Sequence, residues 1–195
     1  MKGFGVVLSA VVAFSGMKAQ AARIASGNAA ELAAHRIEKL VLLKKLPASF
    51  QKNFKGLGVT EITPGGVNTP SFEVVGSQEA DQGEVANAVS VILDENGKAL
   101  SSTVAAGKPA SQPTTWTDKD PLTLVELAVH HIEHKMSADS KLHPFYHGMT
   151  ALQINQMKHG SHTMAVIEFL SNAGDSRLVM NLNTDGSLVD YTIQE

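Results

Sequence analysis

Two hydrophobic periods succeed each other along the chain, and each change of period marks a new kind of element. Between residues 30 and 41 the apolar positions Ala30, Ala33, Ala34, Ile37, Leu40 and Val41 recur at helical spacing, which predicts an amphipathic helix. A second long helix is predicted after Asp120, a suitable N-cap, with Pro121 at the first helical position where its missing N–H costs nothing. Residues 47–55 and 138–147 predict short second helices or irregular links, interrupted by Pro47 and Pro144. After each helical part the period drops to two. Strands are predicted over 57–63, 71–77, 87–94 and 98–104, and again over 148–155, 162–170, 177–183 and 187–193. Alternation at Val89, Val91 and Leu93, and at Leu178, Met180 and Leu182, suits a sheet with one buried face. Asn96-Gly97 and Asp185-Gly186 predict two-residue hairpin turns.

The same order of elements occurs twice, and residues repeat with it. Glu31-Leu32-Ala33-Ala34-His35-Arg36-Ile37-Glu38 recurs as Glu126-Leu127-Ala128-Val129-His130-His131-Ile132-Glu133, six of eight positions identical at an offset of 95. Gly56, Ile62 and Phe72-x-Val74 match Gly148, Ile154 and Met164-x-Val166 at an offset of 92. Leu93, Gly97, Leu100 and Val104 match Leu182, Gly186, Val189 and Ile193 at 89. Four matches in one order indicate a duplication. The expected fold is α+β: two tandem α-β-β-β-β units, each a helix packed on its own four-stranded antiparallel sheet, over 22–104 and 120–195. Residues 105–119, rich in Ala, Gly, Pro, Ser and Thr, read as the linker. Trp116 within it reads as an aromatic plug docking the linker, or as an exposed anchor for a partner.

The repeated helix and the two hairpins at 94–98 and 184–187 give a tandem α-β-β-β-β chain that resembles the PepSY-like domains of exported bacterial proteins, in their beta-lactamase-inhibitor-like branch. The resemblance covers residues 30–194 and rests on topology, length and export signal. It implies a non-catalytic binding or inhibitor-like module, not an enzyme, acting on an envelope or secreted protein or peptide partner. It brings no functional residues with it.

Met1-Lys2, the uncharged apolar run over 3–16 and the small residues of Ala19-Gln20-Ala21 predict a signal peptide over 1–21. The expected location is therefore periplasmic or secreted, with no permanent membrane anchor after cleavage, since the apolar run is shorter than the ~20 residues a spanning helix takes. Net charge is -3, from 16 basic and 19 acidic residues, which removes the electrostatic case for nucleic acid. The chain has no cysteine, so a disulfide framework, a thiolate nucleophile and a Cys-ligated zinc site are all excluded.

Histidine is the anomaly in composition. Seven of the eight lie between residues 130 and 162. His130 and His134 stand at i,i+4 and His131 and His134 at i,i+3, spacings that let two imidazoles converge on one ion. His159 and His162 border the turn between the first two strands of the second unit. These five form the expected ligand set of an alternative function, a periplasmic protein binding a transition metal such as zinc, copper or nickel. At roughly 100° per residue, His130 and His134 stand about 160° either side of Ile132 and so point away from the sheet, with Glu133 to one side. His35 and Lys39 hold the corresponding places in the first unit, so the pair belongs to one unit only. Competing readings are solvated surface imidazoles or an acid-base role near neutral pH. The H-E-x-x-H order is missing, as are G-x-S-x-G and a phosphate-cradling glycine pattern, so no catalytic or cofactor-binding residue is expected.

Overall fold

A computed structural model describes residues 23–63, 70–79, 85–106, 116 and 118–195. The predicted signal peptide and most of the linker lie outside those residues. In chain order the elements are α1 (Ser26–Leu42), α2 (Ala48–Lys52), β1 (Phe54–Ile62), β2 (Ser71–Glu79), β3 (Val85–Leu93) and β4 (Ala99–Ala106). Then come α3 (Pro121–Met136), a 3-10 turn (Ser140–Leu142), α4 (His143–His147), β5 (Ala151–His159), β6 (His162–Leu170), β7 (Arg177–Asn183) and β8 (Leu188–Gln194). The Asp120 carboxylate caps α3 by accepting from the Thr123 N–H at 3.1 Å and the Thr123 hydroxyl at 2.9 Å. Ala25, at the same place before α1, offers no side-chain cap. The fold class is α+β, as the periodicity implies.

The expectation of separate four-stranded sheets is overturned. All eight strands form one antiparallel sheet in the order β4-β3-β2-β1-β5-β6-β7-β8. The join is at its centre, where Gly56, Leu57 and Gly58 of β1 face Gln153, Leu152 and Ala151 of β5. Two separate sheets would each leave a strand edge with unpaired N–H and C=O groups, and pairing β1 with β5 removes both edges. Gly56 makes the join possible, because a Cβ there would collide with the Leu152 carbonyl. Two residues on, a Cβ at Gly58 would meet nothing within 4 Å.

One face of the sheet carries the helices. From it Leu57, Val59, Phe72, Val74, Val89, Val91 and Leu93 in the first half, and Leu152, Ile154, Ala165, Ile167, Phe169, Leu178, Met180 and Leu182 in the second, enter a single core. α1 lies over β1, β2 and β3, α3 over β1, β6 and β7, and the two helices touch each other. The buried face of α1 is mostly small, with Ala29, Ala30, Ala33 and Ala34, whereas α3 buries Leu122, Leu124, Val125, Val129 and Ile132. Each fully buried aliphatic side chain is worth about 1.5–3 kcal/mol. Trp116 is partly buried against the same core, the plug arrangement.

Both terminal hairpins differ from the two-residue turns expected of them. Asp94 N–H bonds to the Lys98 carbonyl and Gly97 N–H to the Asp94 carbonyl, giving a three-residue loop, and Asn183, Gly186 and Ser187 repeat the pattern. Gly97 has φ +83° and Gly186 φ +90°, while neither Asn96 nor Asp185 has positive φ. This is a type I turn closed by a left-handed glycine, accompanied by a register shift in each strand pair. Asp side chains select it: the Asp94 carboxylate accepts from the N–H groups of Asn96 and Lys98, and that of Asp185 from the N–H of Ser187.

Each long helix docks on its hairpin by the same contacts. Leu32 occupies the space a Cβ on Gly97 would need, and Leu127 does so at Gly186. Ile24 N–H donates to the Glu95 carbonyl at 3.0 Å, and Lys119 N–H to that of Thr184 at 3.2 Å. These pairs keep the offsets of 95 in the helix and 89 in the turn. The middle matches do not survive. Phe72 sits between Glu61 and Leu93, and Ala165 sits between Gln156 and Leu182, so the strand register equates Phe72 with Ala165 and not with Met164. Among the described residues no helix is long and apolar enough to cross a membrane.

Candidate metal centre

Glu, His and Glu recur at i, i+4 and i+7 on both long helices: Glu31, His35 and Glu38 on α1, and Glu126, His130 and Glu133 on α3. That spacing lays the three side chains in one stripe along a helix. Where α1 and α3 lie side by side, the two stripes meet and exchange members. Glu31 joins His130 and Glu133, while Glu126 joins His35 and Glu38, and the ligand atoms of each triad all lie within 4.8 Å of one another. In the first triad His130 Nδ1 is 3.4 Å from Glu133 Oε2 and 3.9 Å from Glu31 Oε1. In the second, His35 Nδ1 is 3.4 Å from Glu126 Oε1 and 3.6 Å from Glu38 Oε2. A tetrahedral ion with bonds of about 2.1 Å holds its ligand atoms about 3.4 Å apart, so the triads are close to ligating dimensions.

The electrostatics of the seam favour a cation. Glu126 is the most enclosed of the four carboxylates, its side chain 14% exposed. Its Oε1 is shut off from solvent and accepts no hydrogen bond. Burial pushes its carboxyl up to about 8, and the like charges of Glu38, Glu31 and Asp120 push the same way. Among the described residues, the ion pairs of these four carboxylates are with the two imidazoles alone. The imidazoles themselves are half-exposed, 54% for His35 and 51% for His130, which leaves an entry path for an ion.

Tyr146 on α4 packs against Gly27 of α1, within electrostatic reach of Glu133 and Glu31 of the first triad. The residue is 2% exposed, and its ring lies where a Cβ on Gly27 would fall. Its hydroxyl is enclosed and makes no hydrogen bond of acceptable geometry. Burial, then Glu133 and Glu31, raise its pKa, and Asn28 opposes them. At the matching place in the first half stands Gln51, whose amide donates to Asp120 Oδ2 at 2.9 Å.

Among the described residues, one of the histidines expected to bind metal takes part. His130 enters a triad. His134 stacks edge-on against the His130 ring, centroids 5.0 Å apart, but belongs to neither triad. His131 is diverted, its Nε2–H donating to the Gly186 carbonyl at 3.0 Å and fastening α3 to the β7–β8 turn. His159 and His162 are register partners at the tip of the β5–β6 hairpin, and the described His162 belongs to neither triad. Of the expected set, His131 turns to the β7–β8 turn and His130 meets donors from a second helix, since the seam brings donors from both α1 and α3 together. The sequence reading missed Glu31, His35, Glu38, Glu126 and Glu133, although the signal stood in the repeat itself. His35 matches His130 in the octapeptide, and both copies carry Glu at its ends.

Each triad supplies two carboxylates and one imidazole, a hard-to-borderline donor set suited to manganese, ferrous iron or zinc and poorly suited to cuprous ion. No family model, curated protein or solved structure matches the chain.

Proposed function

We propose that the chain binds divalent transition-metal ions in the seam between α1 and α3. The observation that carries this reading is the crossed pair of Glu-His-Glu triads, each completed only when the two helices pack together. The ligand set of the sequence reading is thereby replaced, with His130 retained. Equilibrium dialysis of the full chain against zinc and manganese tests it. His35→Ala and His130→Ala should each weaken binding at least tenfold, and His159→Ala with His162→Ala should leave it unchanged. Binding that survives loss of both seam histidines contradicts it.

The seam also bears on ancestry. A duplicated α-β-β-β-β unit, fused through β1 and β5, accounts for the two matched helices, the matched Leu-over-Gly docking and the shared turn type. In this reading the PepSY-like resemblance is one of unit topology, and export to the periplasm or beyond follows from the predicted signal segment. A second role, docking of a protein or peptide partner, is favoured by the sheet face that carries no helix, where Val75 is 38% and Met157 55% exposed. A captured partner that Val75→Lys releases would support it. Capture indifferent to that change would not.

A further inference from the structure

The two triads touch, and the residue between them is Glu31. Its Oε1 lies 3.9 Å from His130 Nδ1 and also 3.9 Å from His35 Nε2. The other nitrogen of that same His35 ring, Nδ1, faces Glu126 and Glu38. Glu31 is therefore a ligand-distance neighbour of one triad and the carboxylate behind the histidine of the other. A ligating imidazole commonly gives its second N–H to a carboxylate, which fixes the tautomer and turns the ring towards the ion. On His35, Nδ1 faces its own triad while Nε2 stands 3.9 Å from Glu31 Oε1, a gap that a small turn of the ring or carboxylate would close into that arrangement.

We propose that the seam is a paired centre for two divalent cations, one on Glu31, His130 and Glu133 and one on His35, Glu38 and Glu126, coupled through Glu31 and the His35 ring. This rests on the metal-binding reading above and goes beyond it in number and coupling. Charge is compatible with two ions: once Glu126 gives up its proton to a metal, the four carboxylates supply four negative charges, which two divalent ions balance. Solvent-excluded Glu126 Oε1 has no hydrogen bond and faces His35 Nδ1 at 3.4 Å, so an ion in the second triad would give it a ligand bond. Four Glu and two His are also the donor complement that di-metal bundles assemble from four helices, supplied here by two.

The test measures manganese bound per chain after dialysis, with paramagnetic broadening between bound ions as a second readout. The full chain should hold two manganese ions with mutual broadening. Glu133→Gln and Glu38→Gln should each leave one ion and abolish the broadening. Glu31→Gln should remove one ion and weaken the other about tenfold, since an outer-shell carboxylate contributes that much. Circular dichroism checks that the variants fold, and Glu31→Asp provides a second, milder probe at the coupling position. One ion per chain, lost in every variant, overturns the paired centre while leaving metal binding intact. Two ions with Glu31→Gln affecting only one of them overturns the coupling. No bound ion in the unaltered chain overturns both this inference and the function it rests on.

Discussion

The two long helices are built from matching octapeptides yet do different work in the core. α1 presents alanines and starts from an uncapped Ala25, while α3 presents Leu, Val and Ile and starts from Asp120 with Pro121 behind it. α1 and α3 are in contact, and the small side chains on the buried face of α1 suit close packing, since the interaxial distance follows the size of the contact residues. Close approach is what brings Glu31 to His130 and Glu126 to His35. Their surroundings diverge as well. Tyr146 packs on Gly27 of α1, and Gln51, tied to Asp120, holds the matching sequence position in the other half. A repeat can thus keep its polar stripe and its turn contacts while its apolar face is reshaped to fit its own copy.

The sharpest way to break this relation is at the join. Gly56→Val should destabilise the fold by more than about 4 kcal/mol in chemical unfolding, because the side chain strikes backbone, whereas Gly58→Ala should change it by less than about 1 kcal/mol. Next come the two helix anchors, Ile37 and Ile132, both fully buried. Truncation of either to Ala should cost about 2–5 kcal/mol, and each variant should still unfold in a single transition, because the two halves share one core. Two separated transitions would break the comparison into two domains.

A third contrast is electrostatic. With its carboxyl raised from 4.5 to about 8, Glu126 keeps a proton in the folded chain that it loses in the unfolded one. Its contribution to stability is full below about pH 4.5 and is lost as pH rises through about 8, so metal-free stability should fall across that window. Glu126→Gln should flatten the slope, as thermal melts at several pH values would detect. Smallest is the capping difference. Asp120→Ala should cost about 1 kcal/mol, and Ala25→Ser should add a few tenths to 1 kcal/mol, narrowing the gap between the helices.

Much of this architecture was legible in the chain. Local signals placed the helices and strands well: the α3 cap at Asp120, the buried Ala33, Ile37 and Leu40, and the strand alternation through Val89, Val91 and Leu93. What escaped depended on contacts between distant segments. Pairing of β1 with β5 is chosen by the unmet edges and the bare backbone at Gly56, neither of which has a local pattern. The three-residue turns escaped because Asn-Gly and Asp-Gly suit more than one hairpin loop, and the carboxylates of Asp94 and Asp185, bonded to loop N–H groups, favour the longer one. Histidine density drew attention to 130–162, yet the seam needs one imidazole from each helix and four glutamates. Its members were present in the repeated octapeptide as evidence of duplication, and their ligating geometry exists only once the copies face each other.

Anomalous diffraction from crystals of the chain grown with manganese tests the metal centre most directly. The expected result is two peaks between α1 and α3, one among Glu31, His130 and Glu133 and the other among His35, Glu38 and Glu126. An empty seam, with manganese only at His159 and His162 or nowhere, would contradict it.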